Sequence, residues 1–219
     1  MSKKDAVESE KSDKSDKSDK SGDGKKAFFI QRLMAYMIDI LLVAFVGSLI
    51  VLPFIDKDAL LKLSNSLYEV IEKYNSSKIT YDVYVIESIP LTFQLAKKCG
   101  IITLMTLFLE VLYFIVYQFN SDGQTIGKKI MKIKVISTNG EMTMNQMLIR
   151  ALIIDSILLD MIVLAFVTFA SQDIYYYGSL VFERVQGSIL FISIVMILFS
   201  KRGRGIHDLI SHCEVVKVN

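Results

Sequence analysis

The chain has no tryptophan, two histidines, two cysteines and two prolines in 219 residues. Without Trp there is no indole belt to mark a membrane surface, a duty left to 10 Tyr and 13 Phe. Two His, at 207 and 212, are too few for a catalytic histidine array or a zinc site. Cys99 and Cys213 show neither a CxxC pair nor a metal-ligand spacing and are expected to be free structural thiols. Neither sign of charge dominates: 25 Lys plus Arg against 23 Asp plus Glu leave +2, which excludes nucleic acid as an expected partner. The stretch GQTIGKK is one residue short between its glycines for a phosphate loop and ends in Lys where that motif needs Ser or Thr. His207 and Asp208 form a dyad only if read alone, and capping or packing is their expected role. No nucleophile, metal set or cofactor motif remains, so neither an enzyme nor a cofactor is expected.

What is present is apolar length. Mean hydropathy is +0.43 even though the first 26 residues are almost entirely Lys, Asp, Glu, Ser and Gly. The near-repeat KSDKSDKSDKS has no side chain to bury, so residues 1–26 are expected to be a disordered charged tail. Residues 27–219 then form a membrane domain: several blocks run for roughly 20 residues with one or two charges each, where a soluble domain would alternate.

Four spanning helices are expected, at about 28–52, 100–119, 151–170 and 185–199. The first stops at Pro53, which disfavours helix in the residue before it. Residues 53–98 read as a long outer loop carrying one amphipathic helix, because Leu60, Leu63, Leu67, Val70, Ile71 and Tyr74 fall at helical spacing. In the inner loop, 120–150, the alternation Lys132, Ile133, Lys134, Val135 followed by Asn139-Gly140 predicts a β-hairpin. With the terminal run CEVVKVN it gives a small antiparallel sheet of about three strands at the membrane face. The predicted class is thus an all-α membrane protein with a small cytoplasmic antiparallel sheet, hairpin plus C-terminal strand.

Basic residues orient these spans. Both termini and the 118–150 loop hold eighteen Lys or Arg, the opposite side seven, so both termini are expected in the cytoplasm. Lys97 and Lys98 lie on the minority side, among the acids Asp56, Asp58, Glu69, Glu72, Asp82 and Glu87. Lys128 and Lys129 are placed to meet anionic headgroups.

Ionisable side chains inside the spans are the candidate functional groups, since each costs about 2.5–3.5 kcal/mol at the bilayer centre on insertion scales. Asp39 lies two turns, roughly 10 Å, from Arg32 on the same helix face. Glu110 and Asp160 fall roughly 12 and 13 Å in from the inner ends of the second and third spans. Asp39, Glu110 and Asp160 would therefore share one layer, the arrangement a proton-coupled cation site needs. Alternatively each stays protonated and hydrogen-bonds between helices, or they point apart. Asp155, a turn and a half from Arg150, is expected to pair with it locally. An internal echo, QRLMAYMIDILLVAF and IRALIIDSILLDMIVLAF, repeats an Arg entering the membrane ahead of an Asp and an ILL.

RLMAYMIDILLVAF, GQTIGKKIMKIKV with its following Asn-Gly, Arg150 before the third span and the closing GIHDLISHCEVV together resemble the RDD family of bacterial membrane proteins. The resemblance runs from about residue 28 to the end, matching poorly across the outer loop. The family signature is an Arg at the start of the first helix, an Asp within it and a further Asp. Arg32 and Asp39 match the first two; the third is assigned to Asp208, with Asp155 as the other candidate. Most family members have no established role and a few are described as sodium/proton antiporters. The resemblance thus implies a multi-pass protein of the bacterial inner membrane and leaves open exchange of a monovalent cation such as Na⁺ for H⁺. In that reading Asp39 is the coordinating carboxylate, assisted by Glu110 or Asp160, which their depth in the spans singles out, with Arg32 as a competing positive charge. Four spans enclose little space, so a homodimer is expected. The alternative is a non-transporting scaffold or accessory subunit whose cytoplasmic sheet binds a protein partner.

Overall fold

The computed structural model describes residues 26–218, so nearly all of the expected charged tail lies outside the described residues. Helix α1, Phe29–Val51, has 23 residues, about 34 Å and enough to cross a hydrocarbon core. Pro53 sits in the 3-10 turn Leu52–Phe54 that ends it. Ala35, Asp39, Val43, Gly47 and Val51 are buried at every fourth position, one stripe of a helix, while Leu41, Phe45 and Leu49 on other faces stay exposed.

Helix α2, Lys57–Asn75, is the expected amphipathic helix, with Asp56 as its N-cap accepting from the Ala59 amide at 3.2 Å. The chain then turns at Ser77, φ 55°, into α3, Tyr81–Glu110. Here the sequence reading is corrected. Helix α3 starts about twenty residues before the expected span and runs on through a π-helical segment, Val111–Tyr117, to Asn120, 40 residues in all. About two fifths of the expected outer loop, residues 81–98, is therefore spanning-helix extension, packed against α2 as a helical hairpin. Pro90 lies inside α3, and the hydroxyls of Ser88 and Thr92 donate to the carbonyls of Val85, Ser88 and Ile89 around it. The charges that looked like loop are accommodated on the helix: Lys97 lies 4.5 Å over the Phe93 ring and Lys98 pairs with Asp56 at 3.4 Å.

The remaining elements build the opposite end. A short helix α4, Ile126–Ile130, is capped by Thr125, and strand β1, Ile133–Ser137, follows. Strand β1 pairs antiparallel with β2, Cys213–Lys217, in the register Ile133↔Lys217, Val135↔Val215, Ser137↔Cys213. No hairpin strand follows Asn139-Gly140, contrary to expectation: among the described residues the sheet has two strands, with an isolated bridge from Lys26 to Val216. Gly140 does turn, at φ +118°, but the next residues supply a capping box, Thr143 with Gln146, that starts helix α5, Met144–Ile154.

The third span is also corrected. Helix α5 stops at Ile154, Ser156 takes φ 59°, and α6, Ile157–Phe169, leaves at an angle of 68°. Two carbonyls opened by the break find side chains: Gln186 Nε2 donates to Ile153 at 2.5 Å and the Tyr36 hydroxyl to Ile154 at 3.3 Å. Helix α7, Gln172–Phe199, begins thirteen residues before the expected fourth span, and the short helix α8, Ile206–Ile210, leads into β2.

Among the described residues three helices are long and apolar enough to cross a membrane, four if the bent α5–α6 pair counts as one span. Only 22%, 11% and 6% of the apolar windows of α1, α3 and α7 are buried in the protein, leaving surface that only lipid or another apolar partner satisfies. The core gathers at the sheet end, where Ile133, Val135, Cys213 and Val215 from the sheet meet Met147 and Ala151 of α5 and Tyr113 to Ile115 of the π segment.

Candidate functional site

Asp208 is fully buried and is the most heavily bonded charge in the fold. Its Oδ2 meets Arg32 Nη1 at 3.0 Å and its Oδ1 meets Arg150 Nε at 3.0 Å. His207 Nε2 lies 3.3 Å from Oδ1, and the Gly205 amide donates to Oδ2 at 3.4 Å, closing the first turn of α8. Arg32 Nη2 also donates to the Val215 carbonyl at 3.2 Å. One carboxylate thereby ties α1, α5 and the terminal strand together. The two arginines of the internal echo are the two that grip it. Burial alone would raise the Asp208 pKa, but Arg150, His207 and Arg32 outweigh it and hold the carboxyl well below the usual carboxylate range.

His207 belongs to the same unit. Burial lowers its pKa below the ordinary histidine value despite Asp208, so the ring is neutral. Its Nδ1 lies 2.8 Å from Ser193 Oγ of α7, which fits a ring donating from Nε2 to Asp208 and accepting from Ser193. Ser193 Oγ in turn accepts from the Ile206 amide at 3.0 Å. Ser193, His207 and Asp208 thus line up as a relay, yet the carboxylate is already neutralised by two guanidinium groups. The contacts of Ser193 and His207 position α8 against α7.

Asp39 occupies a second, separate cluster. It is 1% exposed and accepts three hydrogen bonds, from the Tyr113 hydroxyl at 2.6 Å, Thr125 Oγ1 at 2.5 Å and the Gly127 amide at 2.7 Å. The Tyr113 hydroxyl also accepts from the Ile126 amide at 3.1 Å. Asp39 therefore pins α4 and the π segment to α1, and Arg32 turns away from it to Asp208. A Cβ on Gly127 would overlap the Ala35 carbonyl oxygen and come 2.8 Å from Asp39 Oδ1. Gly127→Ala is expected to lower stability by about 1–3 kcal/mol, read as the midpoint of thermal unfolding in detergent. An unchanged midpoint would mean that α4 does not dock on α1 through this contact.

The expected single layer of three carboxylates is not found. Asp160 sits in the first turn of α6, roughly 5 Å along that helix from Ile157 and just past the break at Ser156. Asp39 faces α4, and among the described residues no three His, Cys, Asp or Glu side chains converge on a point that could hold a metal ion. Glu110 stays deep in α3, with Oε2 buried and without a hydrogen-bond partner. Asp160 and Asp155 lie within its electrostatic reach.

Asp155 does not pair with Arg150 as expected, because Arg150 is taken by Asp208. It caps the C-terminal end of α5 and lines a cavity of about 60 Å³ with Arg32, Tyr36, Lys128, Arg150 and His207. The two lysines expected at headgroups diverge. Lys129 is exposed and lies 5.1 Å over the Tyr117 ring, while Lys128 turns inward to Gln118 Oε1 at 3.1 Å. Burial and the nearby Arg150 push the Lys128 ammonium down to about 8. Tyr113, Thr125 and Ser193 were not singled out from the sequence; only Thr125, a cap residue ahead of IGKKI, left a signal there.

The RDD family model matches residues 26–212. The chain belongs to the RDD family. The match takes in Arg32, Asp39 and Asp208, and this RDD structure divides that signature into two units. Arg and the last Asp form one ion cluster with Arg150, while the middle Asp holds a different segment. No curated protein and no solved structure gives a significant match.

Proposed function

We propose that this RDD protein lies in the bacterial inner membrane with its sheet end in the cytoplasm and exchanges a monovalent cation such as Na⁺ for H⁺. The orientation rests on the excess of Lys and Arg at that end. The exchange rests on one observation, the buried Glu110 oxygen without a partner in the longest spanning helix. A carboxylate there is costly when bare, so a proton or a cation is needed to neutralise it, and the two compete for the same oxygens. Asp160, entering from α6, adds a second acidic group within its field. Asp39 is assigned to structure, since three protein donors already fill its oxygens. A homodimer would supply the wider enclosure that four spans lack.

The test is ion flux in proteoliposomes loaded with a pH-sensitive dye and given a Na⁺ gradient. Glu110→Gln is expected to abolish exchange, lowering it by about 100-fold, equivalent to the roughly 2.7 kcal/mol typical of losing a buried ionisable group, while the protein folds as the parent does. Parent-level exchange by Glu110→Gln sinks the proposal.

A second reading is a non-transporting scaffold. What favours it is that both signature carboxylates, Asp39 and Asp208, are saturated by protein groups. It predicts no flux from the parent protein, and crosslinked partners whose capture depends on residues 118–150.

A further inference from the structure

We propose that the gap between α1 and α7 at the sheet end is a binding site for an anionic phospholipid, with an acyl chain in the gap and the phosphate at Arg32 and Arg150. These two helices are not packed along each other. Between them lies a cleft of about 180 Å³ whose walls are Phe29 and Leu33 on one side and Leu190, Ile194 and Ile197 on the other. Its lining is almost wholly apolar, and Leu33 and Ile194 are partly exposed at its mouth, so it opens sideways toward hydrocarbon.

The floor of the cleft is polar. Arg32, Tyr36 and His207 line both this cleft and a smaller cavity, so the two lie on either side of these side chains. The smaller cavity adds Arg150, Lys128 and Asp155. Arg32 is 10% exposed, and its Nε is buried with no acceptor, a charged donor aimed at nothing in the protein. Arg150 lines that cavity and donates to Asp208 through Nε. Arg32 and Arg150 share a single carboxylate, Asp208, and the ring of His207 is neutral, while Lys128 lies in the field of Asp39 and Asp155. The two guanidinium groups therefore keep one positive charge between them, and a phosphodiester carries one negative charge. Asp155, on the wall with Lys128, places the anion on the Arg32 side.

An apolar slot open to lipid, ending on an arginine that shares its carboxylate with a second arginine and whose Nε has no acceptor, has the chemistry of a lipid tail and headgroup taken together. A free anion would need only the smaller cavity and no slot. A second protein copy would fill the slot without supplying the acceptor.

The experiment uses the full chain, delipidated in detergent, and follows its thermal midpoint and native mass spectrum on adding phosphatidylglycerol, phosphatidylcholine or inorganic phosphate. Phosphatidylglycerol is expected to bind as one adduct per chain and raise the midpoint, at least tenfold more tightly than phosphatidylcholine. Leu190→Trp, which fills the slot and leaves every charged group in place, is expected to lose that preference while its midpoint without lipid matches the parent. Arg32→Lys, which keeps the charge but removes Nε, is expected to weaken phosphatidylglycerol more than phosphatidylcholine. Equal binding of the two lipids, full stabilisation by inorganic phosphate alone, or unaltered binding by Leu190→Trp overturns the proposal. So does a dimer joined by cysteines placed at Leu33 and Ile194, because the slot is then a contact between copies.

Discussion

Asp208→Asn is expected to lower stability by about 3–5 kcal/mol, the cost of leaving buried charges without their counter-ion. Both guanidinium groups, Arg32 at 10% and Arg150 at 8% side-chain exposure, then face an amide that carries no charge, accepts from one of them through its oxygen and turns an NH2 donor toward the other. The loss compares with the whole stability of many domains, about 5–15 kcal/mol, so folded yield in detergent should collapse with the unfolding midpoint. Replacing all three residues by apolar ones, Arg32→Met, Arg150→Met and Asp208→Leu, is expected to restore most of it. A midpoint for Asp208→Asn equal to the parent's would show that the cluster does not hold the sheet end together.

The same cluster fixes a pH response. His207 has a lowered pKa in the fold, so as pH falls through about 6.5 the unfolded chain takes up a proton that the folded chain refuses, and stability declines. Asp208 acts in a lower window. Its folded pKa is depressed, so its contribution is intact above the ordinary carboxylate value of about 3.9 and is lost only as pH falls below that. Unfolding midpoints should therefore fall between about pH 7 and 5 because of His207, and His207→Gln should flatten that part of the curve.

Asp39→Ala is the second change expected to be severe. It leaves the Tyr113 hydroxyl, the Thr125 hydroxyl and the Gly127 amide without an acceptor. Each orphaned buried group costs about 1–3 kcal/mol, so a total near 3–5 kcal/mol is expected once partial relaxation is allowed. Hydrogen exchange should locate the damage in α4 and the π segment rather than in the α2–α3 hairpin. A variant that kept parental protection in α4 but lost all ion flux would reassign Asp39 from structure to ion binding.

The sequence carried some of this fold in full. The ends of α1 were readable because Pro53 and an unbroken apolar run leave little choice, and α2 because six apolar residues fall on one helical face. Helix α3 was hidden because Lys97, Lys98 and Glu87 read as loop. The structure absorbs both lysines through an aromatic ring and an acid 42 residues away. Neither Gly nor Pro marks the break at Ser156, only a polar Asp-Ser pair inside an apolar run. The Asn139-Gly140 turn suggested a local hairpin, whereas β1 takes a partner nearly 80 residues on, a pairing no local rule proposes. In the site, residue types were legible and partners were not. Arg32, Asp39, Arg150 and Asp208 were all singled out, but which acid faces which base depended on contacts across 58 and 176 positions.

That separation orders the protein's manufacture. At the 5–20 residues per second typical of synthesis, Asp208 is added about 9–35 s after Arg32, 176 positions earlier. By the end of that interval every spanning helix has been made while two arginines still await the acid that pairs with them. The segment around Asp208 is thus the keystone, and a nascent chain halted before it would leave both arginines without their carboxylate.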